Sequence, residues 1–93
     1  NVLNDNTTGS SNTAVGASAL TANTTGAGNT AVGSASLDAN TTAAENTGVG
    51  NNALGANTTG NNNTAVGSAS LDANTTGGQT LLLTTIPQSV NQL

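Results

Sequence analysis

The sequence predicts an all-β chain wound as a parallel β-solenoid, a β-roll whose coils are 17 residues long. Three observations carry this expectation. The chain repeats itself every 17 residues. Its residues are those of turns and strands, with Gly, Asn, Thr and Ser spread through every repeat where a helix would need Ala, Leu, Glu and Lys. And no Phe, Trp, Tyr or Met is present to fill the core of an ordinary globular domain.

Four complete rows occupy residues 12–28, 29–45, 46–62 and 63–79, and residues 1–11 read as the end of a preceding row. Across the rows nine columns are constant: Asn-Thr, Val-Gly, Leu, Ala and Asn-Thr-Thr. Constancy within one chain means that each row fills an equivalent site. A repeat of this length is too short to pair two helices, which takes about 33 residues or more. One strand-and-turn coil per row is the remaining arrangement, with solenoid repeats over residues 1–79.

The elements within a coil follow from alternation. In "NTAVG" Thr64 and Val66 share a face, and Gly67 then permits a sharp bend. In "SASLDANTT" Leu71, Ala73 and Thr75 alternate with Asp72, Asn74 and Thr76, the period of a strand with one buried face. The expected core is therefore Leu3, Val15, Leu20, Val32, Leu37, Val49, Leu54, Val66 and Leu71. The variable residues 68–70 and 77–79 read as turns. Stacking the rows aligns Asn12, Asn29, Asn46 and Asn63 in one column and Asn23, Asn40, Asn57 and Asn74 in another. Such ladders are expected to hydrogen-bond their amides to the coils above and below, at a spacing of about 4.8 Å. Two bulky side chains per coil make a thin core, which predicts a homo-oligomer.

Composition removes whole classes of function. The chain has four acids and no Lys, Arg or His, a net charge of −4, so it offers nothing to phosphate and is expected to avoid nucleic acid. The longest apolar run, Leu81-Leu82-Leu83, is too short to enter a membrane. No cysteine exists for a disulfide or a thiolate metal site. A start at Asn1 rather than Met reads as a processed product or an excerpt of a longer polypeptide.

"NTAVGASAL" (12–20), "NTGVGNNAL" (46–54) and the linking "NTTG" (57–60) resemble the head repeats of YadA-like trimeric autotransporter adhesins and the related repeats of bacteriophage tail fibres. The resemblance covers residues 1–79. It implies a left-handed β-roll, three chains side by side, an extracellular place on a cell surface or virion, and a host receptor or surface glycan as the outside partner. Adhesin heads typically have a shorter coil, with Ser-x-Ala-x-Gly where this chain has Leu-x-x-Asn-Thr-Thr. That departure favours the fibre variant.

Residues 80–93, "TLLLTTIPQSVNQL", lack the Val-Gly and Asn-Thr-Thr columns and are expected to form a C-terminal cap or a transition segment. Leu83, Ile86, Val90 and Leu93 follow a coiled-coil seam, and Pro87 suits a first helical turn, but one heptad is too little to choose between the two.

Chemistry has few residues to use. Only Asp5, Asp38, Glu45 and Asp72 could titrate, and Asp38 and Asp72, two coils apart at roughly 10 Å, read as solvated surface charge rather than a glycosidase pair. No calcium-loop motif is present. No enzyme activity, cofactor or metal is expected. The Asn-x-Thr sequons at Asn6, Asn23, Asn40, Asn57, Asn62 and Asn74 would matter only in a eukaryotic secretory pathway, and inward-facing ladder residues would leave no room for a glycan. The function expected is a stiff structural or adhesive fibre module, any receptor surface lying on the varying turns 34–36, 51–53 and 61–62. The alternative is an ice-binding solenoid whose surface is the column Thr8, Thr25, Thr42, Thr59 and Thr76. Against it, Thr24 and Thr25 are adjacent and point to opposite faces, so the chain lacks paired outward Thr columns.

Overall fold

A computed structural model describes residues 2–83. It holds one sheet of five parallel strands in chain order: β1 (Thr13–Val15), β2 (Thr30–Val32), β3 (Thr47–Val49), β4 (Thr64–Val66) and β5 (Leu81–Leu82). Each residue pairs with the residue 17 positions on, as Thr13 with Thr30 and Val32 with Val49. The described residues are all-β, and the repeat period is the sheet register.

Only the Thr-Ala/Gly-Val triplet is strand. The expected second strand in "SASLDANTT" is absent, because this part of the coil runs through left-handed backbone. Ala35, Asn52 and Ala69 have φ of 60–61°, and two residues on Leu37, Leu54 and Leu71 have φ of 52–53°. Two turns lie between the strand and the Asn-Thr-Thr run, closed in the second coil by Ser36 N–H to Gly33 C=O (3.2 Å) and Asn40 N–H to Leu37 C=O (3.2 Å). The Leu side chains still point inward, but through a left-handed corner rather than strand alternation. Ala73 and Thr75, expected beside Leu71 on the inner face, are exposed. The requirement explains why the column is Leu and never Val or Ile, since left-handed φ is a steric outlier for a β-branched residue.

The core also corrects the expectation for valine. Leu20, Leu37, Leu54 and Leu71 are fully buried, and Leu3 packs partly buried against them. Their neighbours are Ala31 and Ala65 at the centre of the strand triplet, and Ala19 and Ala53 from the turn. Val15 is 57% exposed and Val66 38%, while Val32 and Val49 are half-buried: the valine column faces outward. The reason is width. In the coils of Leu20, Leu37, Leu54 and Leu71 the Leu side chain fills the space between the coil's walls, and the wall opposite carries Ala or Gly. At Gly48 even a methyl group would come within 2.8 Å of Ser36 Oγ.

The segment 80–93 does not break away at once. Thr80 takes the place of a row-initial Asn, donating its N–H to Asn63 Oδ1 at 3.1 Å. Leu82 is buried at the small-residue position beside Ala65. Residues 80–83 thus begin a further coil, and the expected helical seam at Ile86, Val90 and Leu93 lies outside the described residues.

Candidate functional site

Two buried asparagine columns form the spine. In the first, each side chain of the Asn-Thr-Thr run donates Nδ2–H to the Oδ1 of the Asn one coil earlier. The links are Asn23 to Asn6 (2.8 Å), Asn40 to Asn23 (2.9 Å), Asn57 to Asn40 (3.1 Å) and Asn74 to Asn57 (3.0 Å). The second Nδ2 hydrogen closes the local corner, as from Asn40 to Ala43 C=O at 3.1 Å. The second column bonds chiefly to backbone, with one long side-chain contact from Asn63 Nδ2–H to Asn57 Oδ1 at 3.5 Å. Asn12 Oδ1 accepts the Asn29 N–H at 2.9 Å, Asn29 Oδ1 accepts the Asn46 N–H at 3.0 Å, and Asn46 Oδ1 accepts the Asn63 N–H at 2.8 Å. The Nδ2 of Asn12, Asn29, Asn46 and Asn63 donates to the carbonyl 14 residues on, each at 2.7–2.8 Å. Every rung therefore joins two coils through groups that only an amide carries together, one acceptor and two donors.

Outside this spine three surfaces recur. The first is the strand face, where Val15, Val32, Val49 and Val66 continue into Leu83, which is 61% exposed. The strand columns carry no charged residue. The second is the column of Thr8, Thr25, Thr42, Thr59 and Thr76, all exposed. Their neighbours Thr7, Thr24, Thr41 and Thr58 turn back to the spine, each hydroxyl donating to the carbonyl 17 residues on at 3.1–3.4 Å. In the Asn-Thr-Thr run a single Thr column faces out, and a second outward column, Thr13, Thr30, Thr47 and Thr64, lies beside the valines on the strand face. The third surface is the turn set: Ser34, Asn51, Asn61 and Asn62 are exposed, but Ser36 and Ala53 are fully buried. Ser36 Oγ–H donates to Gly48 C=O at 2.8 Å, so the outer half of each variable turn is surface and its inner half is core.

The acids do not converge. Asp38 and Asp72 are half-buried in one column, with Gly55 between them. Partial burial pushes the Asp38 carboxyl above its ordinary range, against the opposing effect of a backbone hydrogen bond. Among the described residues no three Asp, Glu, His or Cys side chains gather, and no cavity opens. No helix among them is long and apolar enough to cross a membrane. Five of the six sequon asparagines, at positions 6, 23, 40, 57 and 74, belong to the first ladder, and only Asn62 is exposed. No known protein family, curated protein or solved structure matches the chain.

Proposed function

We propose that this chain is a structural, non-enzymatic module of an extracellular or virion fibre, a stiff spacer that associates as a homotrimer of left-handed β-rolls and presents its turns to a receptor or surface glycan. The observation that carries the reading is the outward valine column. Val15, Val32, Val49, Val66 and Leu83 make an apolar stripe along the strand face, one residue per coil, uninterrupted by charge. A second copy of the same chain has the same pitch, so its stripe meshes residue for residue along the length of the rod. A partner of another architecture would match at one or two rungs only. The amides of the spine run along the rod axis and resist bending, which suits a spacer. Exposed Ser34, Asn51, Asn61 and Asn62 give a surface that varies from coil to coil while the scaffold stays constant.

The test is assembly. Light scattering and circular dichroism over a dilution series are expected to give a trimer whose melting temperature falls on dilution. Val32→Lys with Val49→Lys places cations on the stripe and is expected to release β-rich monomer or unfolded chain. A monodisperse β-rich monomer with a concentration-independent melting temperature overturns the oligomeric reading.

Ice binding is the second reading, favoured by one observation: the hydroxyls of Thr25, Thr42, Thr59 and Thr76 stand exposed in a straight column without a partner among the described residues. It expects thermal hysteresis that Thr42→Lys with Thr59→Lys abolishes while the fold persists. The fibre reading expects no thermal hysteresis at any concentration.

A further inference from the structure

One corner inside the stack departs from its neighbours. After a ladder Asn, three successive N–H groups converge on one carbonyl of the next coil. Thr7, Thr8 and Gly9 donate to Thr24 C=O at 3.0, 3.1 and 3.1 Å, Thr24, Thr25 and Gly26 to Thr41 C=O at 2.9, 3.3 and 3.2 Å, and Thr58, Thr59 and Gly60 to Thr75 C=O at 2.9, 3.2 and 3.3 Å. Between them, Thr41 N–H reaches Thr58 C=O at 3.3 Å, while the N–H groups of Thr42 and Ala43 have no acceptor among the described residues. Ala43 is buried, and a buried N–H without an acceptor is rare in a folded chain.

The residue type explains the departure. Positions 9, 26, 60 and 77 are Gly, and position 43 is Ala. A methyl group on Gly9, Gly26 or Gly60 would collide with the carbonyl 17 residues on, that of Gly26, Ala43 or Gly77, and would crowd the Oδ1 of Asn6, Asn23 or Asn57. None of these three glycines has a left-handed φ, so glycine serves there for room between coils. Ala43 brings the methyl that the others avoid, and two of the three inter-coil bonds are lost. A substitute stands one residue on: Ala44 N–H donates to Asn61 Oδ1 at 2.7 Å. The equivalent N–H groups of Ser10, Ala27 and Asn61 have no acceptor among the described residues, and Asn61 alone in that column carries a side-chain carbonyl. Asn61 is exposed, so this bond lies at the surface.

We propose that residues 41–44 and 58–61 form a joint in the rod, the junction at which its coils part first, and that the Asn61 amide is the latch that holds it shut. The junctions on either side carry three N–H bonds at this corner where the joint carries one. Local opening follows the weakest set of contacts, and this one lies centrally, where fraying from the ends arrives last. A partner that donates a hydrogen bond to Asn61 Oδ1 competes with Ala44 N–H and so releases the latch. The inference concerns how the rod opens and does not depend on the fibre reading.

Amide hydrogen exchange on the whole protein tests both parts. Thr24, Thr41 and Thr58 each stand between Asn and Thr, so their intrinsic exchange rates agree, and each N–H is bonded to the next coil. Fraying alone would make the central Thr41 the slowest of the three. The joint makes it the fastest, by at least about tenfold. Ala43→Gly restores the missing room and should slow Thr41 to the rate of Thr24 or below. Asn61→Ala should speed exchange at Thr41 and Ala44 by at least about tenfold, whereas Asn61→Asp, whose carboxylate still accepts from Ala44, should leave both within about threefold of wild type. A smaller lead for Thr41, or a Thr41 rate that Ala43→Gly does not slow, overturns the joint. Asn61→Ala behaving as Asn61→Asp does overturns the latch.

Discussion

Replacing Asn40 by aspartate tests the amide ladder with the least change of shape. Asn40 is fully buried; its Nδ2 donates to Asn23 Oδ1 at 2.9 Å and to Ala43 C=O at 3.1 Å, and its Oδ1 accepts from Asn57 Nδ2 at 3.1 Å. In Asn40→Asp the acceptor survives and both donors vanish. Asn23 Oδ1 and Ala43 C=O are then left buried without partners and facing a carboxylate. Each unmet acceptor costs about 1–3 kcal/mol, so the loss at pH 7 should be about 2–6 kcal/mol. Burial beside two acceptors favours the neutral acid, so the folded-state pKa of the new carboxyl stands above its unfolded value. For an acid shifted in that direction, stability falls as pH rises from the unfolded value through the folded one, and returns below about pH 4. At pH 3 the protonated acid restores one donor, and about half the deficit should disappear. Guanidinium unfolding followed by circular dichroism, for wild type and variant at pH 7 and pH 3, measures both quantities. A loss below about 1 kcal/mol at pH 7, or an equal loss at the two pH values, would refute the ladder as the support of the fold.

Other predictions rest on the corners and the surface. Leu54→Ile keeps volume and would cost under about 1.5 kcal/mol in an ordinary core, but at φ 53° it should cost more than about 2 kcal/mol; a near-neutral result in denaturant titration contradicts the left-handed corner. Leu54→Ala should cost about 2–5 kcal/mol per chain, read from the same titrations. Gly50→Ala should lose at least about 1–3 kcal/mol from backbone strain, because φ is +132° and the added methyl would meet Gly67 C=O at 2.5 Å. Asp38 has its pKa raised by burial, so wild-type stability should decline as pH rises out of the ordinary carboxylate range and through the raised value. Asp38→Asn should remove that decline, and superimposable melting profiles between about pH 3 and 6 would count against the shift.

The sequence by itself determined the period, the parallel sense and the register. Thr13, Thr30, Thr47 and Thr64 can pair only at an offset of 17, because any other offset would set Leu against Asn and Gly against Thr in every coil at once. Leucine as the inward column was also legible, from its constancy and its bulk. The tertiary structure alone decided which face of the Thr-Ala-Val triplet turns inward. Hydropathy favours valine inside, and a three-residue strand offers either one central residue or its two flanks. The choice fell to Ala31 and Ala65 because leucines from the same coil occupy the interior. Nor could alternation reveal the corners. A left-handed residue at position 35 followed by another at 37 imitates the inward-outward rhythm of a strand, and only closure of the coil distinguishes them. The asparagines were conspicuous as columns, but whether an amide bonds its like, as Asn40 does, or the next coil's backbone, as Asn29 does, depends on where neighbouring carbonyls point. Those directions belong to the closed coil as a whole, and no single row of the sequence contains them.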